Sequence, residues 1–326
     1  MSFAVEIARR IGHAVGLLVA VVVLNFFLLQ LAPGDPAQTI AGEMGGITEE
    51  LLAEIREDYG LDKSLPEQLG GYLWRYAQLD FGHSFFFNTS VAELILNRVP
   101  ATILLVLSAL FLAVTVGTLF GVVAARKPNG LLSHLVTIVS IGGYSAPVFW
   151  IGLMLLVLFA SVIPLFPTHG MYDVSKDYGP LGHVFDVLRH LVLPTVTLAV
   201  IYLAQYSRLA RASMLETLGA DYVRTARAKG LSERVVVYKH ALRNAILPVV
   251  TMAGLQFSQL FAGAVLVETV FNWPGMGRLA FDSILRRDYP TILAILFFSA
   301  LIVIVANLLT DLSYRLIDPR IRLDKR

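Results

Sequence analysis

Hydrophobic residues in this chain gather into long blocks separated by shorter polar stretches. Six blocks approach the roughly 20 residues that a bilayer asks of a helix: 11–31, 101–125, 133–163, 190–210, 245–267 and 290–311. The third is overlong and carries Pro147, which predicts a tilted or broken helix rather than two spans, because no charged residue separates its halves. The fourth is short and ends in the polar "SRLAR". Between the first two blocks, residues 32–100 are long enough for structure of their own. In "ITEELLAEIREDYGLD", Leu51, Leu52, Ile55 and Tyr59 fall on one helical face, with Thr48 placed to cap the start and Gly60 to stop it. "LPEQLGGYLWRYAQLDFG" gives a second amphipathic helix rich in interfacial aromatics. The pattern predicts an all-α membrane protein of about six transmembrane helices. It is read as one membrane domain over 1–326, with an external insertion at 32–100 and a cytoplasmic loop at 211–245.

Composition supports that reading. The chain has 326 residues, 56% hydrophobic and only 15% charged, with a mean hydropathy of +0.69; a soluble domain carries about 25% charged residues. The apolar blocks are far longer than the roughly 9–11 residues of a barrel strand, so the spans are helical. The first block has no small-residue cleavage site and reads as a retained helix rather than a removed signal peptide. With the N-terminus inside, inner segments hold 17 of the 26 Lys and Arg, eight of them between Arg208 and Arg243, whereas 17 of the 24 Asp and Glu fall outside. Both termini are therefore expected in the cytoplasm.

Candidate chemistry is sparse. There is no cysteine, hence no disulfide or thiolate site. No pair among the seven histidines has metal-ligand spacing, and no H-E-x-x-H occurs. "GGYSAP" starts like a nucleophile elbow, but Pro147 stands at the second glycine, which leaves Ser145 as a packing serine. No P-loop sequence is present, so this chain does not bind ATP through one. The blocks carry no ionisable residue at mid-span of the kind that marks a proton or ion relay. Their polar residues include Tyr144, Gln256, Gln259 and Asn307. These four either line a path for an uncharged polar solute or act as interhelical hydrogen-bond glue, worth about 0.6 kcal/mol each.

The most basic segment, "DYVRTARAKGLSERVVVYKHALRNAILP", runs straight into the fifth block. Leu215, Leu218, Tyr222 and Ala226 step by three or four and predict a short helix capped by Ser213. Gly230 falls where a left-handed residue ends a helix, and Ser232 can cap the next one, which Pro248 loosens one turn into the span. The result is a helix–turn–helix elbow. Positive-inside topology with anionic-lipid contact explains the charge alone. A docking surface for a soluble partner, with Ala226, Ala228 and Gly230 as a small-residue face, explains the caps and the glycine as well.

The same segment resembles the cytoplasmic coupling loop of ABC-importer permeases of the dipeptide/oligopeptide/nickel group. Ala226 and Gly230 keep the spacing of the broader permease pattern and Leu247-Pro248 keep its end, while Arg224 replaces its Glu and Thr225 its first Ala. "LAPGDPA" (31–37), "YGLD" with "FGHS", "RVPATILL" (98–105), "SAPVFWIGL" (145–153), "HLVLPTVTLA" (190–199) and "ETVFNWPGMGRL" (268–279) extend the likeness over nearly the whole chain.

The resemblance implies a type I importer permease in a bacterial cytoplasmic (inner) membrane, without enzymatic activity of its own. It implies a second, paralogous permease chain, two ATPase subunits that carry ATP and Mg, and an external solute-binding protein, with membrane lipid around and no nucleic acid. It implies coupling to the ATPase through Leu218, Ala220, Asp221, Tyr222, Arg224, Thr225, Ala226, Lys229, Gly230 and Leu231. Asn272, Trp273, Pro274 and Met276 become candidates to meet the binding protein, the alternative being local packing. Members of the group carry dipeptides, longer peptides, nickel chelates, glutathione or small glycosides. An ion-coupled carrier and a non-transporting scaffold stay open as readings of another class.

Overall fold

The computed structural model describes residues 3–31, 36–43, 48–58, 62–126, 146–176 and 178–317, with scattered positions between 128 and 142. Tyr144, Ser145, most of "LAPGDPA", the expected stop at Gly60 and the C-terminal basic residues from 318 onward lie outside the described residues. Helices dominate, joined by one two-stranded hairpin. Five of the described helical stretches are long and apolar enough to cross a bilayer: Ala8–Leu31, Val91–Arg126, Pro180–Leu218, Leu247–Val270 and Tyr289–Thr310. The third expected span contributes Val148–Val162, which is shorter. Pro147 stands in extended geometry just before it, so the break expected at this proline is present.

Contacts divide the chain into two compact units, Met1–Pro100 with Leu279–Val305, and Ala101–Arg278 with Ala306–Arg326. The first unit holds α1 (Phe3–Leu31), α2 (Pro36–Glu43), α3 (Glu49–Asp58), α4 (Leu65–Ala77), β1 (His83–Ser84), β2 (Thr89–Ser90) and α5 (Val91–Leu96). It also takes most of α13 (Met276–Arg286) and the first part of α14 (Tyr289–Ile317). The two amphipathic helices expected in the external segment are both present, α3 starting with a Leu52 N–H to Thr48 carbonyl bond of 3.0 Å. In α4 the Ser64 backbone N–H donates to Glu67 at 3.1 Å, half of a capping box. Its buried side presents Tyr76, whose ring lies 5.0 Å from Phe81 and 5.4 Å from Phe297. Phe26 of α1 joins through Tyr72 at 5.9 Å. Polar bonds complete the unit: Asn25 donates to the Leu293 carbonyl at 3.0 Å, and Ser84 donates to the buried Asp288 at 2.6 Å.

The second unit holds α6 (Val99–Arg126), α7 (Val148–Leu156, continuing into a π-helical turn at Val157–Val162), α8 (Pro180–Leu218) and α9 (Asp221–Ala228). They are followed by α10 (Glu233–Val235), a second π-helical turn at Val236–Ala241, α11 (Leu242–Ala245) and α12 (Leu247–Val270). The fourth span is not short, as its apolar run suggested. It lies within a 39-residue helix that continues into polar flanks at both ends and accommodates Pro194 inside it. Hydropathy sees the apolar centre of a helix and misses its polar flanks.

In lipid, helices gain nothing from hiding apolar surface from one another, so close approach depends on small residues. Gly117 and Gly121 supply it where α6 crosses α8. A Cβ at Gly117 would meet the Leu203 carbonyl and Tyr206 Cβ at 2.8 Å, and one at Gly121 the Ser207 carbonyl and Ala210 Cβ at 2.6 Å.

The end of α12 is held by a buried carboxylate. Glu268 is fully inaccessible and receives the Thr102 hydroxyl at 2.7 Å, the Gly277 N–H at 2.7 Å and the Arg278 N–H at 3.1 Å. Thr102 in turn accepts the Met276 N–H at 2.8 Å. The Glu268 oxygens thus meet N–H groups that open α13 and would have no partner within the helix. Any Cβ on Gly275 would collide with this carboxylate, which is why the turn needs glycine there.

Two outcomes follow from this packing. Gly121→Leu is expected to force α6 and α8 apart, costing about 1–3 kcal/mol and lowering the thermal midpoint of the purified protein. Glu268→Ala strips acceptors from several buried donors and is expected to cost about 3 kcal/mol or more, with Glu268→Gln retaining most of the stability in the same melt.

Candidate coupling elbow and outer turn

The basic segment folds as an elbow whose inner side is a small hydrophobic core. Val223 and Ala226 of α9 are buried together with Val122 and Ala125 of α6, Met214 of α8, and Val236, Val237, Ala241 and Ala245 beyond the turn. Leu218 and Leu242 close its edge. Spacing explains the two faces: positions 223 and 226 point inward, whereas Asp221, Tyr222, Arg224, Thr225, Ala228 and Lys229 are exposed. Burying Val223 alone is worth about 2 kcal/mol.

The helix starts elsewhere than the apolar spacing suggested. α8 runs through Ser213, which does not cap anything; its carbonyl accepts the Thr217 hydroxyl at 2.7 Å. The chain breaks at Gly219 and Ala220, and α9 begins at Asp221 with Ala220 in extended geometry as its N-cap residue. Leu215 and Leu218 therefore belong to the end of α8, and no continuous stripe runs from 215 to 226. Ala226 is also not on an outward small-residue face: at 5% exposure it packs inward, because the adjoining ends of α6 and α8 supply an apolar surface that α9 covers. Ala228 and Gly230 stay outside.

The turn is as expected. Gly230 has φ +75°, the left-handed region, and donates its N–H to the Arg227 carbonyl at 2.9 Å. Ser232 opens α10 through its carbonyl, which accepts the Val236 N–H at 3.0 Å, and its hydroxyl makes no cap bond. Pro248 sits in the first turn of α12, where its missing N–H does no harm.

Arg227 and Glu233 join the two arms, and the sequence reading did not single them out. Arg227 grips the Glu233 carboxylate through Nη2 at 2.8 Å and Nε at 3.2 Å, and Nη1 reaches the Leu218 carbonyl at the end of α8 at 3.4 Å. One side chain thus fastens α8, α9 and α10. The hydrogen bond from Arg227 pulls the Glu233 carboxyl below its usual range, and the bond from Glu233 raises Arg227. A depressed carboxyl gives a contribution that is present at neutral pH and lost as pH falls through the folded-state value. Their six-residue separation across a glycine was the available signal. On the outer side, Asn244 donates to the Tyr222 hydroxyl at 2.8 Å, and Arg224 lies 3.4 Å from Asp221. Leu231 is exposed beyond the turn, and Ala220 is half-buried before it.

The other candidate groups separate by burial. Gln256 is buried, donates to Gln259 at 2.7 Å and bonds to Tyr202, whereas Gln259 and Asn307 are exposed. In the outer turn, Trp273 and Met276 are core residues: Trp273 is fully buried and donates its indole N–H to the Ala101 carbonyl at 2.9 Å, and Met276 is 1% exposed. These two are not available to meet a partner, because the turn folds onto α6 around the Glu268 carboxylate. Asn272, with φ +53°, and Pro274 are half-buried and remain at the surface.

Comparison with known proteins places this arrangement. Residues 117–323 match the family described as binding-protein-dependent transport system inner membrane component, and residues 3–106 match its N-terminal companion. The Di/tripeptide transport system permease protein DppB of Pseudomonas aeruginosa (strain UCBPP-PA14) is 43% identical, over 97% of this chain and 98% of its own length. The Dipeptide transport system permease protein DppB of Escherichia coli (strain K12) is 40% identical, over 97% and 98%. The Oligopeptide transport system permease protein AppB of Bacillus subtilis (strain 168) is 38% identical, over 98% and 99%. Among solved structures, inward-facing conformations of the MetNI methionine ABC transporter share the fold, with a TM-score of 0.54 at 16% identity, covering 69% of this chain and 97% of that one. The chain belongs to the family of binding-protein-dependent transport system inner membrane components, multi-pass permease subunits of ABC importers, in which ATP hydrolysis and external solute capture fall to separate subunits.

Proposed function

We propose that this chain is one of two permease subunits of an ATP-driven importer of short peptides, and that the elbow at Leu218–Leu231 is where the ATPase delivers force. Relatives named for di/tripeptide, dipeptide and oligopeptide transport over almost the full chain support the cargo. The observation that carries the coupling role is the division of α9 into two faces. Val223 and Ala226 lock it to the ends of α6 and α8, while Asp221, Tyr222, Arg224, Thr225 and Lys229 face outward. A push on the outer face has no soft joint to dissipate it before it reaches α8 and α12.

In this reading both termini are cytoplasmic and the chain crosses the membrane six times. Two ATPase subunits hold ATP and Mg, and this chain holds no cofactor. Their closure on nucleotide moves the elbows of this chain and of a paralogous partner as rigid bodies, giving alternating access. A peptide is lined up by uncharged polar groups, for which Gln259 and Asn307 are exposed on their helices while Gln256 orients Gln259. The external binding protein meets the surface that includes Asn272 and Pro274.

Reconstitution separates this from its rivals. Labelled peptide is expected to enter liposomes only when ATPase, second permease and binding protein accompany this chain, and uptake by the lone chain along an ion gradient would sink the proposal. The elbow gives a finer outcome. A Cβ added at Gly230 meets nothing within 4 Å, so a substitution there costs backbone conformation alone in the isolated chain, about 1–2 kcal/mol. Gly230→Asn tolerates the left-handed region and is expected to fold like the parent yet lose uptake, because the ATPase approaches the backbone at this point; Gly230→Val is expected to lose uptake and some stability as well. Full uptake by Gly230→Asn would place the docking contact elsewhere. Arg227→Ala is expected to change stability by less than about 1 kcal/mol, as an exposed pair, while lowering transport per ATP hydrolysed.

A further inference from the structure

At the foot of the elbow, Arg126, the last residue of α6, and Arg234 and Tyr238, on the segment returning toward α12, line an open hollow of about 450 Å³. Packing beneath fixes this juxtaposition. Val122 and Ala125 of α6 share one buried cluster with Val236 and Val237. The polar neighbours along each element, Arg126 on one and Arg234 and Tyr238 on the other, therefore emerge beside each other, and all three are exposed. The carboxylate whose charge is felt with Arg126 is Glu233, and Arg227 already grips both of its oxygens. The hollow is left with two guanidinium groups and a phenol hydroxyl, an excess of positive charge.

Its level is set by the sequence of α6. The apolar run that begins at 101 ends at Ala125, so Arg126 is the first charged residue past the span, on the side where Lys and Arg concentrate. Guanidinium forks match phosphate oxygens in pairs, and a tyrosine hydroxyl adds a third donor. Basic hollows between spans on the cytoplasmic side bind anionic headgroups.

We propose that Arg126, Arg234 and Tyr238 form a binding site for the phosphate of an anionic phospholipid of the inner leaflet, which ties the foot of the elbow to the membrane. The site does not depend on what the importer carries. Its place beside the cluster that carries α9 makes the transporter sensitive to the anionic lipid content of its membrane.

The experiment uses the whole transporter, with its partner permease and ATPase subunits, in nanodiscs of phosphatidylcholine mixed with phosphatidylglycerol. The phosphatidylglycerol retained per complex is measured by mass spectrometry. Because each basic residue at a membrane surface is worth about a fivefold gain in affinity, R126Q/R234Q is expected to weaken retention roughly twentyfold. R126K/R234K is expected to keep most of it and Y238F to lose a smaller part. An unchanged thermal midpoint in R126Q/R234Q, expected because these side chains are exposed, keeps the lipid readout separate from folding. Unaltered phosphatidylglycerol retention in R126Q/R234Q would overturn the proposal. Displacement of phosphatidylglycerol by inorganic phosphate alone would overturn the lipid as source and leave a free-anion site. Loss of the ATPase from R126Q/R234Q in phosphatidylcholine alone would overturn it too, assigning the arginines to the protein partner.

Discussion

Burial of Val223 and Ala226 against the adjoining ends of α6 and α8 is the contact on which the functional reading rests. Elsewhere in the spans, helices meet through small residues and a few polar bonds, because lipid offers no penalty for apolar surface. At the elbow that changes. One face of α9 exposes charged and polar side chains, and on the other a nine-residue apolar cluster supplies the ordinary hydrophobic driving force. The same cluster gathers the ends of two spans and the start of a third into one body. A short helix of eight residues, which could not hold its shape alone in water, becomes a rigid part of the permease.

Polar fasteners finish the joints that apolar packing leaves open. Arg227 satisfies a terminal carbonyl of α8 and holds Glu233 across the glycine turn, so the angle between the arms of the elbow is set by a side chain. At the other end of α12, the Glu268 carboxylate performs a comparable task for the outer turn, accepting from Thr102 and from the first N–H groups of α13. The stretch that runs from the elbow core through α12 is therefore tied to α6 twice, near Val122 and Ala125 through Ala241 and Ala245 of that core and at Thr102 through the carboxylate.

Much of this could be read from residue order, and the failures have physical causes. The glycine at the turn, the break at Pro147 and the two amphipathic external helices rest on local rules, and the local structure obeys them. Spacing alone puts Ala226 on the wrong face, because its direction depends on what α6 and α8 present to it. Trp273 and Met276 resemble an exposed aromatic turn in one dimension; only the fold brings Ala101 and Thr102 beneath them. Glu268 escaped notice because it stands just past the end of an apolar run, where a carboxylate reads as solvent-facing. The glycines at 117 and 121 form a four-residue step that the sequence displays openly, although apolar content alone gives no reason to look for it.

The overlong α8 has a geometric consequence. From Arg208, where its charged stretch begins, to Leu218 the helix adds about 15 Å at 1.5 Å per residue. Along that length α8 stays braced on α6, with Ser207 and Ala210 against Gly121 and Met214 in one buried cluster with Val122 and Ala125. The lever from the Gly121 crossing to Leu218 then fixes how far the tip of the elbow travels for a given tilt of α8.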